Sequence, residues 1–472
     1  MQIRTTSHSI PFQVALREAK GLLVLSRAVF ALAALTMMAP PVARAQRTLD
    51  DLVAIGLRQN LGQRQSELNY QKSEAVADEA RGRFLPTATL NARYTQLSGN
   101  VVDLGALINP AFSALNQLTG GANFPTNLTL QLPQRQETAV RLAQPIFQPA
   151  IVEGYRIAAR LRDAQGAQRD VQLRDLAARL RGAYLQVNAT RRVRDLYDAT
   201  IPLVAEQVRV TEALVAAGKA TPDAVFRARA ERSDVQQRRN DAAQNAAAAE
   251  RQLNFLLERP LDAEAPVIAD SLLGIGDLPT LEASLASALA EREELRGIEW
   301  SRQAAAGARR LALGSHLPAV SLAVDYGLQG NRYEFRQDRT YTAASLVMSW
   351  SLFNGMQDAA RAAHAGLEER RLATQAQQVE RLVSLDVRQA WAAADVSRGA
   401  IANADERLAA ARRSHDLVRR RYEIGSASQL ELLDARTQLT AAELNRILTD
   451  TDYRVRRVQL DRAAALYPRN LP

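Results

Sequence analysis

The chain has 472 residues, a formal charge of +9 and no cysteine, which excludes disulfides and thiolate metal sites. Aromatic residues make up only 5% and the four histidines are scattered, which argues against a bulky globular core and against a metal cluster. Residues 1–45 hold five Lys/Arg and one Glu, so the remainder carries about +5, too little for its length to suggest a nucleic-acid binder.

The N-terminus reads as an export signal. Arg17 and Lys20 precede an apolar run, Ala28 to Met38, too short to span a bilayer. Pro40 and Pro41 and then Ala43-Arg44-Ala45 complete a cleavage pattern, so the mature chain is expected to begin at Gln46. No cysteine is present to carry a lipid anchor.

Thr48, with Asp50 and Asp51 behind it, opens a helix expected to run to Phe84, where Pro86 ends it. The period then changes to two. Ala88, Leu90, Ala92 and Tyr94 face one way, and Thr87, Thr89, Asn91, Arg93 and Thr95 the other. A loop, Ser98 to Gln136, contains a short apolar stretch, Leu104 to Leu118. A weaker strand follows, Glu137 to Phe147. Ala150 to Ala217 is helical throughout except at Pro202, a rod of roughly 100 Å. Gly218 ends it, and Thr221 can cap the returning helix, Pro222 to Glu258.

After a connector, residues 259–280, the pattern repeats. A helix from Leu281 to Leu313 leads to strands at Val320 to Gln329 and Ser345 to Leu352, joined by the short charged loop Gly330 to Thr340. A second rod, Met356 to Ile424, ends at Gly425. Ser428 can cap the returning helix, Gln429 to Leu466, and a short tail closes the chain. Phe147 and Phe353 lie 206 residues apart, and Gly218 and Gly425 lie 207 apart, which marks a duplicated unit. The expected organisation is residues 46–258 (hairpin 87–147), connector 259–280, residues 281–466 (hairpin 319–353) and tail 467–472.

Strands of about ten residues with one apolar face fit a membrane β-barrel, although a half-buried soluble sheet shows the same alternation. Four strands cannot close a barrel, and an open edge cannot face lipid. If the strands lie in a membrane, several chains share one barrel.

The Leu85-Pro86 and Leu317-Pro318 helix ends, the strand ends QPIF (Gln144 to Phe147) and WSLFNG (Trp350 to Gly355), and YEIGSASQLELLDARTQL (Tyr422 to Leu439) carry a resemblance. In this order, duplicated behind an export signal, they resemble the outer-membrane factor family of TolC-like channels. The resemblance implies a mainly α fold with a membrane β-barrel. Each chain of a homotrimer gives four strands to a shared twelve-stranded barrel, with long coiled-coil-like helices crossing the periplasm. It implies the exit duct of a tripartite efflux pump or a type I secretion system in outer-membrane lipid, working with a periplasmic adaptor and an RND- or ABC-type transporter. No cofactor and no catalytic activity are implied.

The family rings its periplasmic constriction with acidic residues. The matching positions are Glu431 and Asp434, with Tyr422 beside them. Three copies would stack two carboxylate rings that favour cations and raise each other's pKa. An arginine that locks the closed state in some members is Ala427 here, and an acidic position of the first repeat is Ala224, next to Asp223. Gly218 and Gly425 match the tips that contact adaptors. Tyr94, Phe147, Tyr326, Trp350 and Phe353 are candidates for interfacial girdles. An enzyme finds no support in G-x-S-x-G, H-E-x-x-H or P-loop motifs. An exported coiled-coil scaffold or adhesin would explain the helices but not two matched amphipathic hairpins.

Overall fold

The computed structural model describes residues 48–96, 102–128, 131–132, 135–273, 276–330 and 339–467. The stretch expected to be an export signal, residues 1–45, lies outside them, as does the tail beyond 467. The chain divides into two compact units, Met1–Leu52 with Pro266–Gly274, and Val53–Ala265 with Ile275–Pro472. Thr48 opens helix α1 (Leu49–Gln59) as expected, and only its first turn, Leu49–Leu52, belongs to the first unit. The Thr48 backbone N–H and hydroxyl both donate to the Asp51 carboxylate at 2.8 Å, and the Asp51 N–H donates back to the hydroxyl at 3.1 Å. A single 3-10 turn, Asp270–Leu272, lies in the second segment of the first unit.

The larger unit carries the duplication. Its first half holds α2 (Leu61–Gly82), β1 (Thr87–Tyr94), β2 (Val102–Asp103), α3 (Leu104–Thr119), β3 (Gln131–Leu132), β4 (Gln136–Phe147), α4 (Pro149–Ala216) and α5 (Pro222–Leu256). The second holds α6 (Leu281–Glu291), α7 (Glu293–Gly314), β5 (Ala319–Gly330), β6 (Thr340–Ser349), α8 (Gln357–Glu423) and α9 (Gln429–Ala463). The two rods, α4 and α8, have 68 and 67 residues. The first runs unbroken through Pro202.

The helices expected as single elements, Thr48 to Phe84 and Leu281 to Leu313, are each broken near their start, at Asn60 and Arg292. Both breaks take the same extended backbone, φ −64 and ψ 126 at Asn60, φ −65 and ψ 126 at Arg292. Asn60 accepts from the Gln63 N–H at 3.1 Å and donates Nδ2 to the Leu256 carbonyl at 3.0 Å. Arg292 donates Nη1 to the Ala463 carbonyl at 2.9 Å. Leu256 and Ala463 end the two returning helices, so each repeat ties its break to the same place. A one-residue break leaves the apolar period nearly in phase, which is why periodicity did not reveal it.

Packing follows the small-residue seam. On α4, Leu176, Leu180, Tyr184 and Val187 are buried with Ala158, Ala167, Ala177 and Ala189. Tyr197 and Val204 of α4 meet Val235 and Ala242 of α5. In the second repeat Val383 and Val387 of α8 meet Ala288 of α6 and Ala463 of α9. Around them lies a buried ionic network. Arg174 on α4 donates twice to Glu293, at 2.6 and 3.0 Å, and once to the Tyr467 carbonyl at 3.0 Å. Arg292 also meets Glu294 and Asp386, and Arg462 meets Asp175, Asp386 and Glu294.

The four long strands form one antiparallel sheet in the order β1-β4-β5-β6. The register is continuous from Leu90 through Val140 and Tyr326 to Thr342, with one irregularity at Pro145–Phe147. One face carries Leu90, Leu142, Val324, Leu346 and Met348. The other carries two cross-strand ion pairs, Arg93–Glu137 at 2.6 Å and Arg141–Asp325 at 2.7 Å. No helix covers the apolar face among the described residues, and Leu90 and Leu346 stay 70% and 71% exposed. This separates the sheet from the soluble alternative, in which a helix would bury that face. β1 and β6 are open edges. The fourth strand begins earlier than expected and stops at Ser349, because the Trp350 indole turns back to donate to the His316 carbonyl at 3.0 Å.

The loop of the first hairpin is not irregular. Its apolar stretch forms α3, started by Asp103, whose carboxylate accepts from the Gly105 N–H at 2.9 Å. Two amide clamps hold the following chain along it. Asn109 exchanges two hydrogen bonds with Leu128 at 2.8 and 2.9 Å, and Asn116 two with Phe124 at 2.7 and 2.9 Å. Only glycine fits at 105, because a Cβ there would stand 1.9 Å from the Leu128 carbonyl oxygen.

Candidate functional site

The helix tips are built by one motif used twice. α4 ends with Gly218 at φ +67, where the Gly218 N–H reaches the Val215 carbonyl at 3.0 Å and the Lys219 N–H the Leu214 carbonyl at 2.8 Å. α8 ends with Gly425 at φ +78, with Gly425 bonded to Tyr422 at 3.0 Å and Ser426 to Arg421 at 2.7 Å. These left-handed closures favour glycine and turn the chain into α5 and α9.

The two returning helices start differently. Ser428 forms a full capping box with Glu431 on α9: its hydroxyl accepts from the Glu431 N–H at 3.2 Å, and its own N–H donates to the Glu431 carboxylate at 3.1 Å. Thr221, expected to cap α5, makes no side-chain cap bond, and Pro222 fills the first helical position instead. Asp223 pairs with Arg227. The hydrogen bond from Thr221 holds the Asp223 carboxyl below the ordinary range, and the Arg227 charge adds to it.

Glu431 is therefore partly committed to helix capping. The Ser428 backbone N–H and hydroxyl hold its carboxyl below the ordinary carboxylate range, and Arg421, 3.6 Å away, acts in the same direction. Asp434 is exposed one turn further along α9, and Tyr422 is half-buried in the last turn of α8. Ser428→Ala is expected to speed amide exchange in the first turn of α9 about fivefold, as for the loss of one N-cap, with Ser428→Thr near wild type. Hydrogen-exchange mass spectrometry of the tip peptide checks this; unchanged exchange in Ser428→Ala would show that the box does not hold the turn.

Sequence reasoning missed the residues that join the two tips. Gln429 donates to the Thr211 hydroxyl at 3.1 Å and to the Ala224 carbonyl at 3.4 Å. Further along α9, Arg436 donates to the Thr200 carbonyl at 3.4 Å. Arg436 lines a cleft of about 290 Å³ with Tyr197, Glu231 and Arg238. Burial pushes its guanidinium below its ordinary value, and the Glu231 carboxylate opposes that. These contacts link α9 to the first helical pair through Gln429 and Arg436, without the side chains of Ala427 and Ala224. No motif signals them, because which face of α9 meets α4 depends on the packing of both repeats.

The five aromatic candidates are all exposed. Phe147, Trp350 and Phe353 gather at the helical end of the sheet and Tyr94 at the loop end, while Tyr326 stands four residues inside the loop end of β5. Among the described residues no helix is long and apolar enough to cross a membrane.

A four-stranded sheet with one uncovered apolar face, a paired polar face and two edges without a partner strand stands on two long helical pairs. Comparison with solved structures gives the same fold. The chain is similar to the CusC channel (16% identical, TM-score 0.73, covering 89% of this chain and 92% of that one). It is also similar to the Campylobacter jejuni CmeC outer membrane channel (15%, 0.72, 88% and 85%) and to the open state of the Neisseria gonorrhoeae MtrE outer membrane channel (19%, 0.72, 88% and 88%). No curated protein sequence matches. Residues 285–466 match the family described as outer membrane efflux protein. That match spans most of the second repeat, and the chain as a whole shares its fold with these channel structures.

Proposed function

We propose that three copies of this chain close a twelve-stranded barrel in the outer membrane and form the exit duct of a tripartite efflux pump or type I secretion system. A periplasmic adaptor docks at the tips around Gly218 and Gly425, and an RND- or ABC-type inner-membrane transporter supplies the energy. The chain itself performs no catalytic step; it conducts. The observation that carries this is the four-stranded sheet. Its apolar face, with Leu90, Leu142, Leu346 and Met348, has no cover among the described residues and suits lipid. Its ion-paired face suits a wet lumen, and its unpaired edges on β1 and β6 demand further strands. The expected result is a heat-modifiable trimer in outer-membrane fractions that conducts in planar bilayers. A soluble periplasmic form without conductance would overturn the reading in favour of an exported scaffold.

A further inference from the structure

The helix in the first hairpin loop has a face that the channel reading does not use. Leu104, Leu107, Ala111, Ala114 and Leu118 follow one another at spacings of three and four residues along α3. That is the narrow seam of a helix that packs against another helix. Leu107 and Leu118 are 74% and 84% exposed. The opposite side is already occupied, with Asn109 and Asn116 clamping the returning chain and Phe112 against Phe124 at 5.5 Å.

Two observations indicate what covers the seam. Between Asp103 and Arg135 there is no charged residue, so like copies can approach without repulsion. The same stretch has no Lys, Arg, Trp or Tyr, the residues that anchor an amphipathic helix at a lipid surface. In addition, α3 follows β1, the open edge at which a neighbouring copy has to pair. The β1–β4 ladder continues past Tyr94, with the Thr95 N–H donating to the Arg135 carbonyl at 2.6 Å, so the hairpin that carries α3 includes the edge strand.

We propose that α3 is a contact between copies, in which the stripes of three α3 helices pack together across the outer mouth of the barrel. Twelve strands about 4.8 Å apart and tilted by about 40° give a backbone diameter of roughly 24 Å. Three helices, each about 10 Å wide, fill most of such a mouth. The inference rests on the three-copy barrel, and its test separates the two.

The chain has no cysteine, so single-cysteine variants are clean probes. Leu118→Cys and Leu107→Cys, each oxidised in native membranes, are expected to join two chains of each trimer by a disulfide and leave the third free. Gln117→Cys, exposed but about 100° round the helix from Leu118, is expected to stay uncrosslinked. Trimers that form normally but show no disulfide at either seam position overturn the contact and leave the channel standing. Quenching of a fluorophore at either cysteine by spin-labelled lipid, without crosslinking, assigns the stripe to lipid and also overturns it. Absence of any trimer overturns both readings.

Discussion

Replacing Arg174 by methionine is expected to destabilise the helical body by about 3 kcal/mol, because it removes two hydrogen bonds from the buried Glu293 carboxylate and leaves it to Arg296 at 3.7 Å. The two side chains are 8% and 2% exposed and share two hydrogen bonds. The double variant Arg174→Met with Glu293→Leu should recover most of the loss, since an apolar pair needs no desolvation. Denaturant unfolding in detergent measures both. A single-variant deficit below about 1 kcal/mol would show that the pair behaves as a solvated surface bridge. The pH dependence has a definite sign. Burial raises the Glu293 carboxyl, but the hydrogen bonds and charge of Arg174 outweigh it and hold the group below its ordinary value. A depressed carboxylate contributes stability that is complete above about pH 4.3 and is lost as pH falls through its folded value. The deficit of Glu293→Gln should therefore shrink at acid pH.

Neutralising the tip acids, with Glu431→Gln and Asp434→Asn together, is expected to raise resting conductance and bring cation selectivity close to unity in planar bilayers. Glutamine at position 431 retains the capping box with Ser428, so a change reports charge and not helix fraying. Ser428→Ala provides the converse control, since it weakens the turn and leaves both carboxylates. Recordings in which the double variant matches wild type in conductance and selectivity would remove Glu431 and Asp434 from the gate. Alanine at Gln429 and Arg436 is expected to act in the same direction on conductance by releasing α9 from α4, with no effect on selectivity.

Much of the architecture was legible because it repeats. The strands announced themselves through alternation, as in Val320 to Leu328, and the tips through Gly218 and Gly425, whose backbone is left-handed. Three features were not legible, each for a physical reason. The breaks at Asn60 and Arg292 interrupt hydrogen bonding without shifting the apolar phase. The apolar stretch 104–118 contains no charged residue to mark one face of it as solvated. The arginine-rich stretch 169–194 reads as a solvated face, yet Arg174 and Arg181 are buried, one on Glu293 and the other 3.7 Å from the Tyr467 ring. Burial of a charge depends on a partner far along the chain, and composition does not carry that information.

The ion pairs on the polar face of the sheet have a consequence for what the duct can refuse. Arg93 and Arg141 are matched one for one by Glu137 and Asp325, so in the proposed three-copy barrel each chain would contribute no net charge from these pairs to the wall. A wall of adjacent opposite charges has a field that decays within a few ångströms of the surface, well before the middle of a wide bore. Anionic, cationic and neutral cargo would meet nearly the same barrier there. The outer section then acts as a neutral outlet in series with a charged inlet, and any preference among cargoes is set before they reach the membrane.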